Sequence, residues 1–165
     1  MEKQARQDGA DRFSLRGWTH WEHIRDGKVI EVRDVPNAIV NDGKANVAYL
    51  LGSAASGTYQ PFTYIAIGTG TAAATATDTS LSTEATTAGA GRAAGTVSRV
   101  TTTVANDTMQ VTKTFTFTTG GTFAITESGV FSSNTGAPML CRQTFAAINV
   151  VSGDTLAVTW KVAVS

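Results

Sequence analysis

Two histidines, His20 and His23, stand in the order H-x-x-H, a spacing that on a helix brings both imidazoles to one side as zinc ligands. The residues around them alternate as a strand does, and on a strand an odd spacing sends the two rings to opposite faces. The pair therefore reads as ordinary sheet histidines, with no metal. Trp18 and Trp21 beside them could stack on a sugar or a base, although rings that bury area in a core or an interface are the commoner use of such residues. Glu127 in ITESG and Asp154 in SGDT are the acidic residues deepest in the strand-rich region, and paired carboxylates can serve as acid and base in glycoside hydrolysis. Turn chemistry accounts for them better: Asp154 is placed to bond the amides of its own turn, and Glu127 precedes a glycine expected to bulge the strand. Gly68-Thr69-Gly70 matches a phosphate loop in composition only, since no lysine follows and no helix starts there. Arg92, Arg99 and Arg142 are isolated cations, each expected to pair with Glu84, Glu127 or Asp107. Cys141, the one cysteine, alternates with Met139 and Phe145 as a small buried hydrophobe does, a reactive thiol being the other reading. No nucleophile and base stand out as a pair, no cofactor is called for, and the chain reads as a non-enzyme.

The elements that must position these residues are short strands and tight turns. In GWTHWEHIRDGKVIEVRDV, Asp26-Gly27 supplies the two positive-φ residues of a type I′ turn. An unbroken ladder from that turn sets Ile24 opposite Val29, His23 opposite Ile30 and Trp21 opposite Val32. Trp21, His23, Ile30 and Val32 then form one face, and His20, Glu22, Glu31 and Arg33 the other. One short helix is predicted over 42–52, capped by Asp42, with Val47, Leu50 and Leu51 as its apolar side and Gly52 ending it in the left-handed conformation. Phe62 to Ile67 reads as a core strand. Val111, Phe115 and Phe117 share a face with Met109 and Lys113, while Thr112, Thr114, Thr116 and Thr118 line the other. Gly120-Gly121, Asn134-Thr135-Gly136 and Ser152-Gly153-Asp154 are turns. The last strand sets Leu156, Val158, Trp160, Val162 and Val164 against the core. This pattern predicts an all-β chain, an antiparallel sandwich or a tulip- or jelly-roll-like barrel, in a single domain over 17–165.

Charge is distributed unevenly: 16 of the 26 charged side chains lie in residues 1–44, leaving ten for the remaining 121. A body this poor in charge is either a neutral threonine-coated surface or an assembly subunit whose outside is covered. The net charge of zero and the lack of a Lys/Arg cluster argue against nucleic-acid binding. No apolar run is long enough to span a bilayer and no signal-peptide pattern opens the chain, so neither a membrane nor a secreted location is expected. Residues 1–16 read as an arm, either plain terminal disorder or a segment that orders when Phe13 and Leu15 dock on a neighbour. Residues 71–96 read as a long Thr/Ala/Gly loop with Leu81 as its one large aliphatic side chain, a length that points to function or partner contact.

The stretches RDGKVIEVRDVPNAIVNDGKANVAYLLG, FTYIAIGTGTAAATATDTSLSTE, ITESGVFSS and MLCRQTFAAINVVSGDTLAVTWKV resemble a family of small β-rich structural proteins of tailed-bacteriophage particles, described as capsid decoration (cement) or tail-fibre-like proteins. The resemblance covers about residues 25–165, and ITESGVF and GDTLAVTWKV are its sharpest pieces. It implies a non-enzymatic virion protein on the capsid exterior, bound to the major capsid protein as a homo-oligomer, a trimer first, and bracing the shell against internal DNA pressure. Arg12, Phe13, Leu15 and Arg16 are then expected to anchor the arm, Trp18 and Trp21 to pack where arm meets hairpin, and Leu81, Glu84 and Arg92 to pin the long loop at a partner interface. Two other readings stand beside it, a tail-tip or fibre-associated receptor binder and a glycan-binding β-sandwich using Trp18, Trp21 and an acidic pair.

Overall fold

A computed structural model describes residues 13–57, 59–118, 122–136 and 138–165. Strand makes up 52% of the structure against 8% helix, which settles the all-β expectation. Among the described residues, ten strands and one helix follow one another as β1 (Leu15–Arg25), β2 (Lys28–Pro36), β3 (Ala38–Ile39), α1 (Asn41–Gly52), β4 (Tyr64–Gly68), β5 (Ala93–Ala94), β6 (Thr96–Val100), β7 (Thr108–Thr116), β8 (Phe123–Phe131), β9 (Met139–Val150) and β10 (Thr155–Val164). They form two open antiparallel sheets, β2-β1-β10-β7-β6 and β3-β9-β8-β4-β5. Neither sheet closes on itself, so the sandwich holds and the barrel does not. The predicted turn at Gly120-Gly121 falls outside the described residues.

The main core lies between the sheets. Trp21, Val111, Phe115, Leu156, Val158 and Trp160 of the first sheet meet Ile65, Ile67, Ile125, Val130 and Ile148 of the second, all buried. The even-spaced face of β10 does this as its alternation predicted, except that Val164 at the strand end is exposed. Trp160 carries its indole N–H into the core and donates to Ser128 Oγ across the sheets at 3.2 Å, so its polar end is satisfied. A second, smaller cluster of Val40, Ala66, Leu81, Phe131 and Met139 lies on the other side of the second sheet. That sheet is therefore covered on both faces, and β8 is buried from Ile125 to Phe131 without the alternation of a half-exposed strand. Register breaks between Val130 and Phe131 place Met139 in the smaller cluster and Cys141 in the main one, so the even spacing of these two does not put them on one face. Cys141 is fully buried and burial pushes its thiol far up, which makes it the buried hydrophobe of the two readings.

The first hairpin forms around Asp26 and Gly27 with φ of 50° and 72°, as a type I′ turn requires. Its ladder departs from the expected one. Ile24 pairs with Val29, but a bulge leaves Ile30 unpaired, and beyond it His23 faces Glu31, Glu22 faces Val32 and Trp21 faces Arg33. One extra residue reverses the sides of everything after it. Trp21 and His23 go into the sandwich as expected, yet Ile30 and Val32 stand 51% and 54% exposed, while Glu31 and Arg33 take the inward side in their place.

Helix α1 also differs in detail. Its N-cap is Val40, without a side-chain cap bond, and Asp42 sits in the first turn instead. The buried residues are Gly43 and Asn46; of the expected apolar side, Val47 packs partly buried against the main core, while Leu51 is 72% exposed. Gly43 is required because a Cβ there would run into the Leu140 backbone of β9. Gly52 has no left-handed φ, and the following Ser53 is extended.

Candidate functional site

The chemistry-bearing residues gather in three places, and the first is built on β8 and β9. Thr126 and Glu127 both face the segment that follows β4 rather than the core. The Thr126 hydroxyl donates to Gly70 O at 2.9 Å. Glu127, wholly buried, accepts from the backbone N–H groups of Gly70 at 3.1 Å, Ser82 at 3.0 Å and Thr83 at 2.6 Å. From β9, Arg142 donates to Glu127 Oε2 through Nε at 3.0 Å and Nη2 at 2.8 Å, to Asp78 Oδ2 at 2.6 Å, to Ala72 O at 2.9 Å and to Ser82 Oγ at 2.7 Å. Burial alone would lower the Arg142 pKa, but the Glu127 and Asp78 carboxylates outweigh it and raise it. At Asp78 the desolvation that would raise the pKa is likewise overcome, by bonds from the Thr75 N–H and hydroxyl and from Arg142, and the group is held below its ordinary value. A charged pair in the interior thus does the work of a strand: it bonds a loop that has almost no ladder of its own.

One expectation is overturned: Glu127 is not turn chemistry. Residues 71–92 are a long loop, as expected, with neither strand nor helix. The chain beyond it returns to pair as β5 and β6, and the loop makes a bridge between Gly68 and Glu84 and lies back on its own sheet. Leu81 is 6% exposed and packs in the smaller core cluster. Glu84 and Arg92 form a two-pronged pair at 2.9 and 2.6 Å, with the Arg92 guanidinium 3.5 Å from the centre of the Phe131 ring and its Nη1 bonded to Ser133 O and Gly136 O. All three residues hold the loop to its own chain.

The second place is the turn before β10. Asp154, 1% exposed, accepts from the Val151 N–H at 3.0 Å, as turn chemistry predicts. It also bonds His23 Nε2 at 2.7 Å and, through both carboxylate oxygens, Arg25 at 2.8 and 2.7 Å. The Arg25 guanidinium is the largest influence holding Asp154 well below the usual carboxylate range, against the opposing effect of burial. His20 lies on the other face with Asp34 at 2.9 Å and Glu22 at 3.6 Å, so the two histidines do not meet. Among the described residues no cluster of three or more His, Cys, Asp or Glu side chains could hold a metal ion. Arg99 does not pair with Asp107, whose carboxylate instead takes the N–H groups of Thr102, Thr103 and Val104 in its own turn and is held far below its ordinary value by them. Trp21 is 1% exposed and packs tilted at 48° against Phe145 with ring centres 4.6 Å apart, and Glu127 and Asp154 are buried as well, so none of the three is open to a sugar.

The third place is the apolar surface. Leu15 and Arg16, assigned to the arm by sequence, are the first residues of β1 and pair with Val164 and Ala163. Arg12 lies outside the described residues. Phe13, 57% exposed, and Leu15 line a groove of about 490 Å³ with Lys44, Val47, Ala48 and Leu51 of α1. Trp18 is half-buried on the outer face, with Lys161 Nζ 6.0 Å from its ring. Val29, Ile30 and Val32 form a second exposed apolar patch on β2, a strand at the edge of its sheet. Charge patterning set Glu84 and Glu127 among the possible partners of the isolated arginines without assigning them, and the structure pairs Arg92 with Glu84 and Arg142 with Glu127 and Asp78. The Glu127 latch was missed, although its signal was present: one acid and one base standing singly in two otherwise uncharged runs.

Fold and site together define an open, antiparallel two-sheet sandwich with an ion-latched loop on its back. No family model, curated protein or solved structure matches the chain. No helix among the described residues is long and apolar enough to cross a membrane.

Proposed function

We propose that this chain is a non-enzymatic structural protein of a phage virion, a head decoration or cement protein that binds the major capsid protein on the outside of the mature shell as a homo-oligomer and stabilises it against internal DNA pressure. The observation that carries this reading is the disposition of polar and apolar groups. Glu127, Arg142, Asp154 and His23 are buried in bonds that hold loops and turns, while Phe13, Leu51, Val29, Ile30 and Val32 are left on the surface. A surface so arranged supports adhesion, and large exposed aliphatics grouped in patches mark sites of association. The Phe13–Leu51 groove, where the described chain begins, is the surface assigned to the shell, with residues 1–12 adding contacts beside it.

The test is sedimentation of the purified protein with undecorated expanded heads and, separately, with isolated tails. Entry into the head pellet, saturating in proportion to shell subunits, is expected; binding to tails alone would move the protein to the tail, and binding to neither would overturn the virion reading. Removal of residues 1–12, which leaves β1 intact, and Leu51→Asp are each expected to weaken head binding at least tenfold without lowering the melting temperature.

A further inference from the structure

The free edge of β2 carries an inference about self-association. Beyond the bulge, Glu31, Val32 and Arg33 alternate regularly, with Glu31 and Arg33 towards the sandwich and Val32 on the outer face opposite Glu22. β2 pairs with β1 on one side and, among the described residues, has no strand on the other. Its charges form one bond within the strand, Arg33 Nη2 to Glu31 Oε1, and Arg33 Nη1 reaches Ala146 O of β9. The bulge at Ile30 and the proline at position 36 limit regular pairing at the two ends, devices that keep edges from joining indiscriminately. What remains open is a short stretch centred on Val32.

That stretch is complementary to itself. When two copies are laid antiparallel about a two-fold axis through Val32, Val32 faces its own mate, Glu31 of each copy faces Arg33 of the other, Val29 faces Val35, and Ile30 stands opposite Asp34. Opposite charges directly across an antiparallel pair are favourable, and like charges there are not. The geometry points to a second copy of this chain as the occupant of this edge, joined through β2–β2 pairing into one ten-stranded sheet. A head-to-tail contact between sheet edges would instead set β2 against β6 of the next copy. β2 and β6 run in the same direction in their sheet, so that contact pairs strands in parallel and offers Arg99 as the one charge on β6, a partner for Glu31 and none for Arg33. The charge pattern selects the two-fold.

The inference does not depend on the virion reading, and its test uses the full chain alone. Sedimentation equilibrium over a concentration series up to about 100 μM, the range in which weak edge contacts become populated, is expected to show a monomer–dimer equilibrium. Glu31→Arg and Arg33→Glu each place like charges across the axis twice, and each is expected to weaken the dimer at least tenfold. Mixed one to one, the two variants restore both opposite-charge pairs, and a dimer returns. That rescue separates a contact between copies from a purely internal role of the Glu31–Arg33 bond. Where either charge variant fails to fold, Val32→Asp carries the test, since its side chain already stands in water. A wild-type chain that stays monomeric, a trimer, or a dimer indifferent to all three substitutions would overturn the proposal.

Discussion

Glu127 and Asp154 are both buried carboxylates that bind an arginine and tie distant parts of the chain together, yet their surroundings differ in one respect. The arginine at Glu127 is itself 2% exposed, whereas the one at Asp154 is 40% exposed. Loss of the first carboxylate strands three amides in the interior and leaves a buried cation with Asp78 as its remaining carboxylate. Loss of the second leaves a cation that can turn to water, with one amide and the buried His23 losing their acceptor. A charge pair therefore matters less by its bond lengths than by whether either partner has somewhere else to go.

The comparison breaks most directly at Glu127→Ala, expected to cost about 3–5 kcal/mol, the range for breaking a buried pair by removing one partner. Urea unfolding measures it, with protease cutting between residues 71 and 92 reporting local release of the loop. If the loop opens while the sandwich still unfolds at the wild-type midpoint, the latch serves only the loop. Arg92→Ala is expected to cost about 1–3 kcal/mol, because Glu84 loses its partner near the surface and Phe131 loses its cover. Asp154→Asn is expected to destabilise less than Glu127→Ala, and its sharper signature is in acid. The Asp154 and Asp107 pKa values are depressed in the folded chain, so their contribution is complete above the ordinary carboxylate value near 3.8 and is lost as pH falls below it. Thermal melts from pH 5 to pH 2 should therefore fall steeply in the wild type and less steeply in Asp154→Asn. The smallest effect is predicted for Val32→Thr, within about 0.5 kcal/mol at monomer concentrations, since that side chain is in water until another surface covers it.

Much of the architecture was legible in the residues themselves. Period-two alternation in 109–117 and 155–163 named their buried faces, Asp26-Gly27 named its turn, and the isolated arginines pointed to two of their partners. These are local signals, in which each residue's neighbours in sequence are also its neighbours in space. The bulge at Ile30 was not legible, because an unpaired residue changes sides only relative to a partner strand. It moved Ile30 and Val32 from the core to the surface without altering the composition of the hairpin. The helix was placed correctly and its buried side only in part, Val47 packing on the core but Leu51 not, since the contact with β9 is set by how closely Gly43 lets the Leu140 backbone approach.

The loop shows the division most clearly. Its sequence is small, polar and poor in anchors, which by itself determines that few of its own side chains can hold it down. Only the tertiary structure decided that the anchors come from elsewhere, from Glu127 and Arg142 on strands some 45 to 70 residues away along the chain. Hydrophobic periodicity records which face of an element avoids water. It does not record which distant backbone amides a single buried carboxylate will collect, because that is fixed by the packing of the two sheets and the register of their strands.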